Sequence, residues 1–178
     1  MNLIGKTALV CCFAAVAAVG ASVGIYYGVT APAIAARVPS GDAVPEVVAT
    51  LFADDAPTGV TKIIDETTVT SKSYLLDGYR VYLPDTSVKA FYYRCRSATG
   101  FGGKVTFDIG IKNDAVAYYA FVKSNEDDQG TNWARATKDF IGYDGSSDVV
   151  VTGATVEETP VAMQTAVDAA LTDAKGRE

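Results

Sequence analysis

The sequence predicts an α+β protein: an N-terminal transmembrane helix, then a single domain with a largely antiparallel sheet and packed helices. Three observations predict it. No charged residue stands between Lys6 and Arg37. The middle of the chain is a succession of short runs rich in Val, Ile, Tyr, Phe and Thr, broken by turn residues. Near the C-terminus, apolar residues recur at helical spacing behind a proline.

Taken in order, the stretch ALVCCFAAVAAVGASVGIYYGVT is long enough to cross a bilayer, which needs ~20 apolar residues. Residues 1–36 are therefore read as a membrane anchor whose helix ends near Pro32. A secretory signal peptide is the competing reading, with Ala33-Ile34-Ala35 as its cleavage site. Lys6 and the N-terminal amine favour a cytoplasmic N-terminus by the positive-inside rule, with Arg37 competing on the far side. A single-pass protein of a bacterial cell membrane with its C-terminal domain extracytoplasmic is the result. Cys11 and Cys12 precede most of the apolar run, whereas a lipid-attachment cysteine would follow it. Gly20, Gly24 and Gly28 share one helix face, which suits a membrane partner and equally suits the general abundance of glycine in such helices.

Residues 37–59 read as a linker followed by a short helix over 46–52, stopped by Asp54, Asp55, Pro57 and Gly59. Residues 60–178 read as the domain proper. Strands are expected at 61–66, 73–76, 79–83, 88–97, 104–112 and 115–123, with hairpin turns at Leu76-Asp77-Gly78-Tyr79 and Lys112-Asn113-Asp114-Ala115. A second helix is expected over 132–140. The last helix starts at Pro160 with Thr159 as its cap, and buries Met163, Ala166, Val167, Ala170 and Leu171 along one face.

Composition narrows the chemistry. The 178 residues carry a net charge of −6 and no histidine, which argues against a nucleic-acid surface and removes the commonest general base. Of three cysteines only Cys95 lies beyond the apolar segment, so no paired spacing for metal binding exists, and Cys95 reads as a small buried side chain on a strand.

Three places remain as candidate sites. Gly100, Gly102 and Gly103 surround Phe101 just before a strand and allow close backbone approach, to a ligand or within a simple turn. Glu126, Asp127 and Asp128 stand beside Gly130, Thr131 and Trp133, a set that suits a cation or planar ring, or a solvated acidic loop. Third, a Val run ends at Thr152-Gly153-Ala154-Thr155 shortly before the last helix. Such a strand-to-helix turn offers unpaired N–H groups and a favourable dipole to a phosphate, and equally suits a turn closed by threonine hydroxyls.

Taken together, these segments resemble the membrane-anchored FMN-binding domain family, whose members include the G subunit of the Rnf complex and a corresponding subunit of the sodium-pumping NADH:quinone oxidoreductase. The resemblance covers nearly the whole chain. It rests on the anchor, the Gly100-Phe101-Gly102-Gly103 loop, the Asp114 turn, and Asp148 followed by Thr152-Gly153-Ala154-Thr155 and a helix.

The resemblance implies FMN joined through its phosphate to Thr155, with Thr152, Gly153 and Ala154 forming the turn. It implies further cofactor contacts from Gly102, Gly103 and Thr131, with Asp148 and Asn132 as weaker candidates near the site. It also implies a flavin transferase for maturation and membrane subunits of an electron-transfer complex as partners. Asp148 stands one residue farther from the Thr-Gly-Ala-Thr core than the family's usual spacing, and Val156, Glu157 and Glu158 follow it. A stand-alone extracytoplasmic electron shuttle and a non-redox anchored binding module are the rival expectations.

Overall fold

A computed structural model of the chain describes residues 41–64, 66–70, 73–98, 103–125, 139–147 and 158–177. All of them belong to one unit, Ser40–Glu178. The expected membrane anchor at 1–36 lies outside the described residues. Among the described residues no helix is long and apolar enough to cross a membrane.

The sheet is a five-stranded antiparallel meander in sequence order: β1 Gly59–Lys62, β2 Leu75–Tyr82, β3 Ala90–Arg96, β4 Val105–Lys112 and β5 Ala115–Ser124. The β4–β5 hairpin turns at Asn113 and Asp114, whose φ values of 48° and 68° are the left-handed pair that such a turn requires. Asn and Asp tolerate that backbone better than any other residue with a side chain. This turn is the one the sequence predicts.

The other predicted hairpin does not form. Leu76-Asp77-Gly78-Tyr79 lies inside β2, which runs unbroken past an irregularity between Leu75 and Asp77. There the Asp77 carboxylate accepts the Gly78 N–H at 2.9 Å, so the turn-forming chemistry of the Asp-Gly pair is used within a bulge. Two short predicted strands are thus one long one. The first strand is also shorter than expected, since the chain leaves β1 after Lys62 and makes a 3-10 turn at Glu66–Thr68. The start of the predicted linker is not free either: Asp42 bridges Val60 of β1 through backbone bonds of 2.6 and 3.1 Å.

β3 and β4 lie between neighbours and are largely buried on both faces, so that even Thr106 and Asp108 of β4 are shielded from solvent. One face carries Tyr93, Cys95, Val105, Phe107, Ile109 and Ile111 beneath the long C-terminal helix α2, Glu158–Gly176. The buried stripe of α2 is the predicted one, Met163, Ala166, Val167, Ala170 and Leu171. Its start is two residues earlier than predicted. Pro160 is accommodated inside the first turn, where the N–H it lacks has no helical acceptor. The helix is also fixed by polar ties, Tyr93 Oη to Asp173 at 2.7 Å and Tyr143 Oη to Asp168 at 2.6 Å. Asp139 and Phe140, the described end of the expected 132–140 helix, lie in a turn.

The opposite face carries Val81, Ala90 and Tyr92 beneath the short helix α1, Glu46–Leu51, and Phe52. After α1 the chain makes a 3-10 turn, Ala53–Asp55, and Asp55 ties it to the sheet. Its carboxylate accepts Lys112 Nζ at 2.7 Å and Tyr118 Oη at 2.6 Å.

Burial raises the Asp55 pKa, but these two hydrogen bonds and the Lys112 charge outweigh it, leaving the group below the usual carboxylate range. A depressed carboxylate adds stability that is fully present above its unfolded pKa, near 3.9, and is lost as pH falls through the lower folded value. Asp55→Asn is therefore expected to cost on the order of 1 kcal/mol at neutral pH, solvent screening at this rim holding it down. The difference from wild type should shrink as pH falls below about 4. Denaturant titrations at pH 7 and pH 3 check this, and a difference as large at pH 3 as at pH 7 contradicts it.

Candidate functional site

Three strand ends meet at one end of the sheet. β3 leaves after Arg96, β4 enters at Val105, and β5 leaves after Ser124. Ser97 N–H donates to the Val105 carbonyl at 2.8 Å, Val105 N–H returns to Ser97 Oγ at 2.9 Å, and Asn125 N–H donates to the Lys104 carbonyl at 2.9 Å. Gly103 lies directly against the Asn125 backbone, and a Cβ there would collide with its carbonyl. A glycine is required by that approach. The fold thereby sets the base of the Gly100–Gly103 loop beside the base of the segment that begins at Glu126. Two stretches singled out in the sequence spring from one place.

Along β5 runs a groove of about 680 Å³, walled on one side by Val47 and Leu51 of α1 and on the other by Ala117, Tyr118, Tyr119 and Ala120. Ile141, 48% exposed, closes part of its length. The size lies within the ~300–1,000 Å³ of small-molecule sites. Its charged lining, Glu46 and Asp108, is acidic.

Asp108 is 3% exposed in the middle of β4 and is held by Arg94 on the adjacent strand, Nε to Oδ1 at 2.8 Å and Nη2 to Oδ2 at 3.0 Å. The register places the two directly opposite, so the fork meets the carboxylate in two parallel bonds. The Arg94 pKa is raised, chiefly by the hydrogen bond with Asp108. Next to the pair, the Tyr92 hydroxyl is buried and has no hydrogen bond among the described residues. Burial and then the Asp108 charge push its pKa far above the ordinary phenol value. It is a fixed neutral group. Cys95 is buried, as the sequence suggests, and burial drives its thiol pKa well above the usual range, so it is no nucleophile.

Of the residues the resemblance implies for flavin binding, only Gly103 is described. Gly102, Thr131, Asn132, Asp148, Thr152, Gly153, Ala154 and Thr155 lie outside the described residues. Sequence reasoning missed the Arg94–Asp108 pair, the Asp55–Lys112–Tyr118 tie and the groove. The first left a signal: charged residues at alternate positions inside otherwise apolar strands mark a face that needs internal pairing. The other two depend on where α1 lands and had none.

No family model, curated protein or solved structure matches the chain.

Proposed function

We propose that this chain is a membrane-anchored flavoprotein subunit, carrying FMN joined through its phosphate to the Thr155 hydroxyl. In this reading it relays electrons to neighbouring membrane subunits of an ion-translocating oxidoreductase complex of the Rnf type. The observation that carries the proposal is the run Asp148 to Thr152-Gly153-Ala154-Thr155, followed three residues later by the start of α2 at Glu158.

Two described features support it. The glycine loop and the segment after Asn125, both part of the resemblance, are rooted side by side through Gly103. The groove along β5 has the volume for a mononucleotide-sized ligand.

The fit is one-sided. Glu46 in the lining repels a phosphate, the Asp108 charge being answered by Arg94, whereas Leu51, Tyr118 and Tyr119 offer apolar and aromatic surface to a flat ring. The ring end of FMN suits the groove and the phosphate does not. When bound, the isoalloxazine supplies the electron chemistry. The protein's own part is to position it, exclude water along the α1 side and hold Asp108 paired with Arg94.

Intact mass of the full chain, purified from cells with an active flavin transferase, tests this alongside a Thr155→Val variant. One FMN-phosphoryl adduct is expected, placed on Thr155 by fragmentation and absent from the variant. An unmodified wild-type mass from such cells overturns covalent attachment. Copurification with multi-spanning subunits is expected in detergent, and isolation as a lone chain would favour a free-standing shuttle.

A further inference from the structure

We infer that the rung Arg96–Thr106–Lys123, at the loop end of the sheet, forms a binding site for a phosphoryl oxyanion. The register pairs Arg96 with Thr106 and Thr106 with Lys123, so a buried threonine is flanked on one face by two cations. Lys104, Asn125 and Leu76 complete a pocket of about 190 Å³. That is below the ~300–1,000 Å³ of sites for whole small molecules, so it takes a tetrahedral group and not an entire nucleotide.

The neighbouring rung shows what is unusual here. There Arg94 lies opposite Asp108 on one side and Asp77 on the other, so its charge is answered within the sheet. The Arg96 rung sets cations on both flanks, and among the described residues no carboxylate lines its pocket. Two such cations around one hydroxyl repel each other, and an anion between them offsets that repulsion. In a chain of net charge −6, such a gathering is not the general trend of the surface.

Arg96 is also pre-positioned. Its Nη2 donates to the Thr70 carbonyl at 2.6 Å and the Ser73 carbonyl at 3.0 Å, which fixes the guanidinium plane. Those bonds do not use Nε–H or the Nη1 donors, the groups that suit a fork onto an oxyanion. The Thr106 hydroxyl adds a neutral donor between the charges, and Lys123 a flexible one.

The site does not depend on the flavin reading, and its test separates the two. Inorganic phosphate is titrated into the full chain at low ionic strength, in the wild type and in Thr155→Val, followed by calorimetry and by the amide shifts of Thr106, Lys123 and Asn125. Saturable binding that weakens as salt rises is expected. Lys123→Glu should weaken it about tenfold or more, whereas Lys89→Ala, a cation elsewhere on the surface, should leave it unchanged. Because Lys123 is exposed, this variant is expected to keep the wild-type circular dichroism spectrum.

Binding to both proteins identifies a diffusible phosphate ligand. Binding to Thr155→Val alone identifies the attached flavin's own phosphate as the occupant. Absence of saturable binding from both, or binding that Lys123→Glu leaves unchanged, overturns the inference.

Discussion

Arg94→Met should destabilise the domain by about 3–5 kcal/mol, clearly more than Asp108→Asn does. The asymmetry follows from exposure. The Asp108 side chain is 4% accessible and that of Arg94 34%. Removing the arginine strands a carboxylate with almost no access to water, and the neighbouring Tyr92 hydroxyl, a single neutral donor, replaces only part of the two charge-assisted bonds. Removing the carboxylate charge leaves a guanidinium that already reaches solvent, and asparagine keeps one acceptor for it, so about 1–3 kcal/mol is expected.

The double variant Arg94→Met/Asp108→Leu should recover most of the loss, because two apolar side chains of similar volume leave no charge to solvate. Denaturant unfolding of the four proteins measures this. Equal losses from the two single variants would mean that water reaches Asp108, and a double variant as weak as Arg94→Met would mean that shape matters here more than charge.

What the sequence discloses and what it hides divide along the same line. The α2 stripe, the Asn113-Asp114 turn and the burial of Cys95 were legible because each depends on local chemistry: a 3.6-residue period, a left-handed backbone pair, a lone apolar-flanked thiol. The hairpin expected at Leu76 to Tyr79 failed for a tertiary reason. Asp77 and Gly78 have turn propensity, but Gly78 pairs with Tyr93 and Asp77 with Arg94, and continuous pairing along β3 outweighs the local preference.

The early start of α2 is a smaller case of the same kind, since proline marks the first turn of a helix without marking its first residue. The groove and the cationic rung were invisible because both are made by register. Arg96, Thr106 and Lys123 are ten and seventeen residues apart in sequence, and only strand pairing makes them neighbours. The run that the resemblance reads as a flavin attachment motif is the opposite case, carried wholly by local sequence.

Phe52→Ala should cost about 3–5 kcal/mol and, unlike other core truncations, should also open the groove. Phe52 is fully buried and is the bolt between α1 and the sheet. Its ring meets Tyr118 edge-on at 5.1 Å between centroids and lies over Gly110, where a Cβ would stand 2.8 Å from Cζ of Phe52 and 2.8 Å from Cδ2 of Tyr118. The α1 helix has only six residues, too few to persist without packing, so its position over the groove depends on this contact.

Gly110→Ala tests the same contact from the other side. The added methyl group has no free space between two aromatic rings, and about 1–3 kcal/mol of overpacking is expected. The two changes should not add. In Phe52→Ala/Gly110→Ala the new methyl group enters the space the ring has left, so the double variant should be more stable than the sum of the single losses predicts. Additive losses would show that α1 is held by Val48 and its neighbours and that Phe52 merely fills volume. A coupling of a kcal/mol or more, about the lower range for contacting residues, would establish that the glycine is there to seat the ring that positions the groove wall.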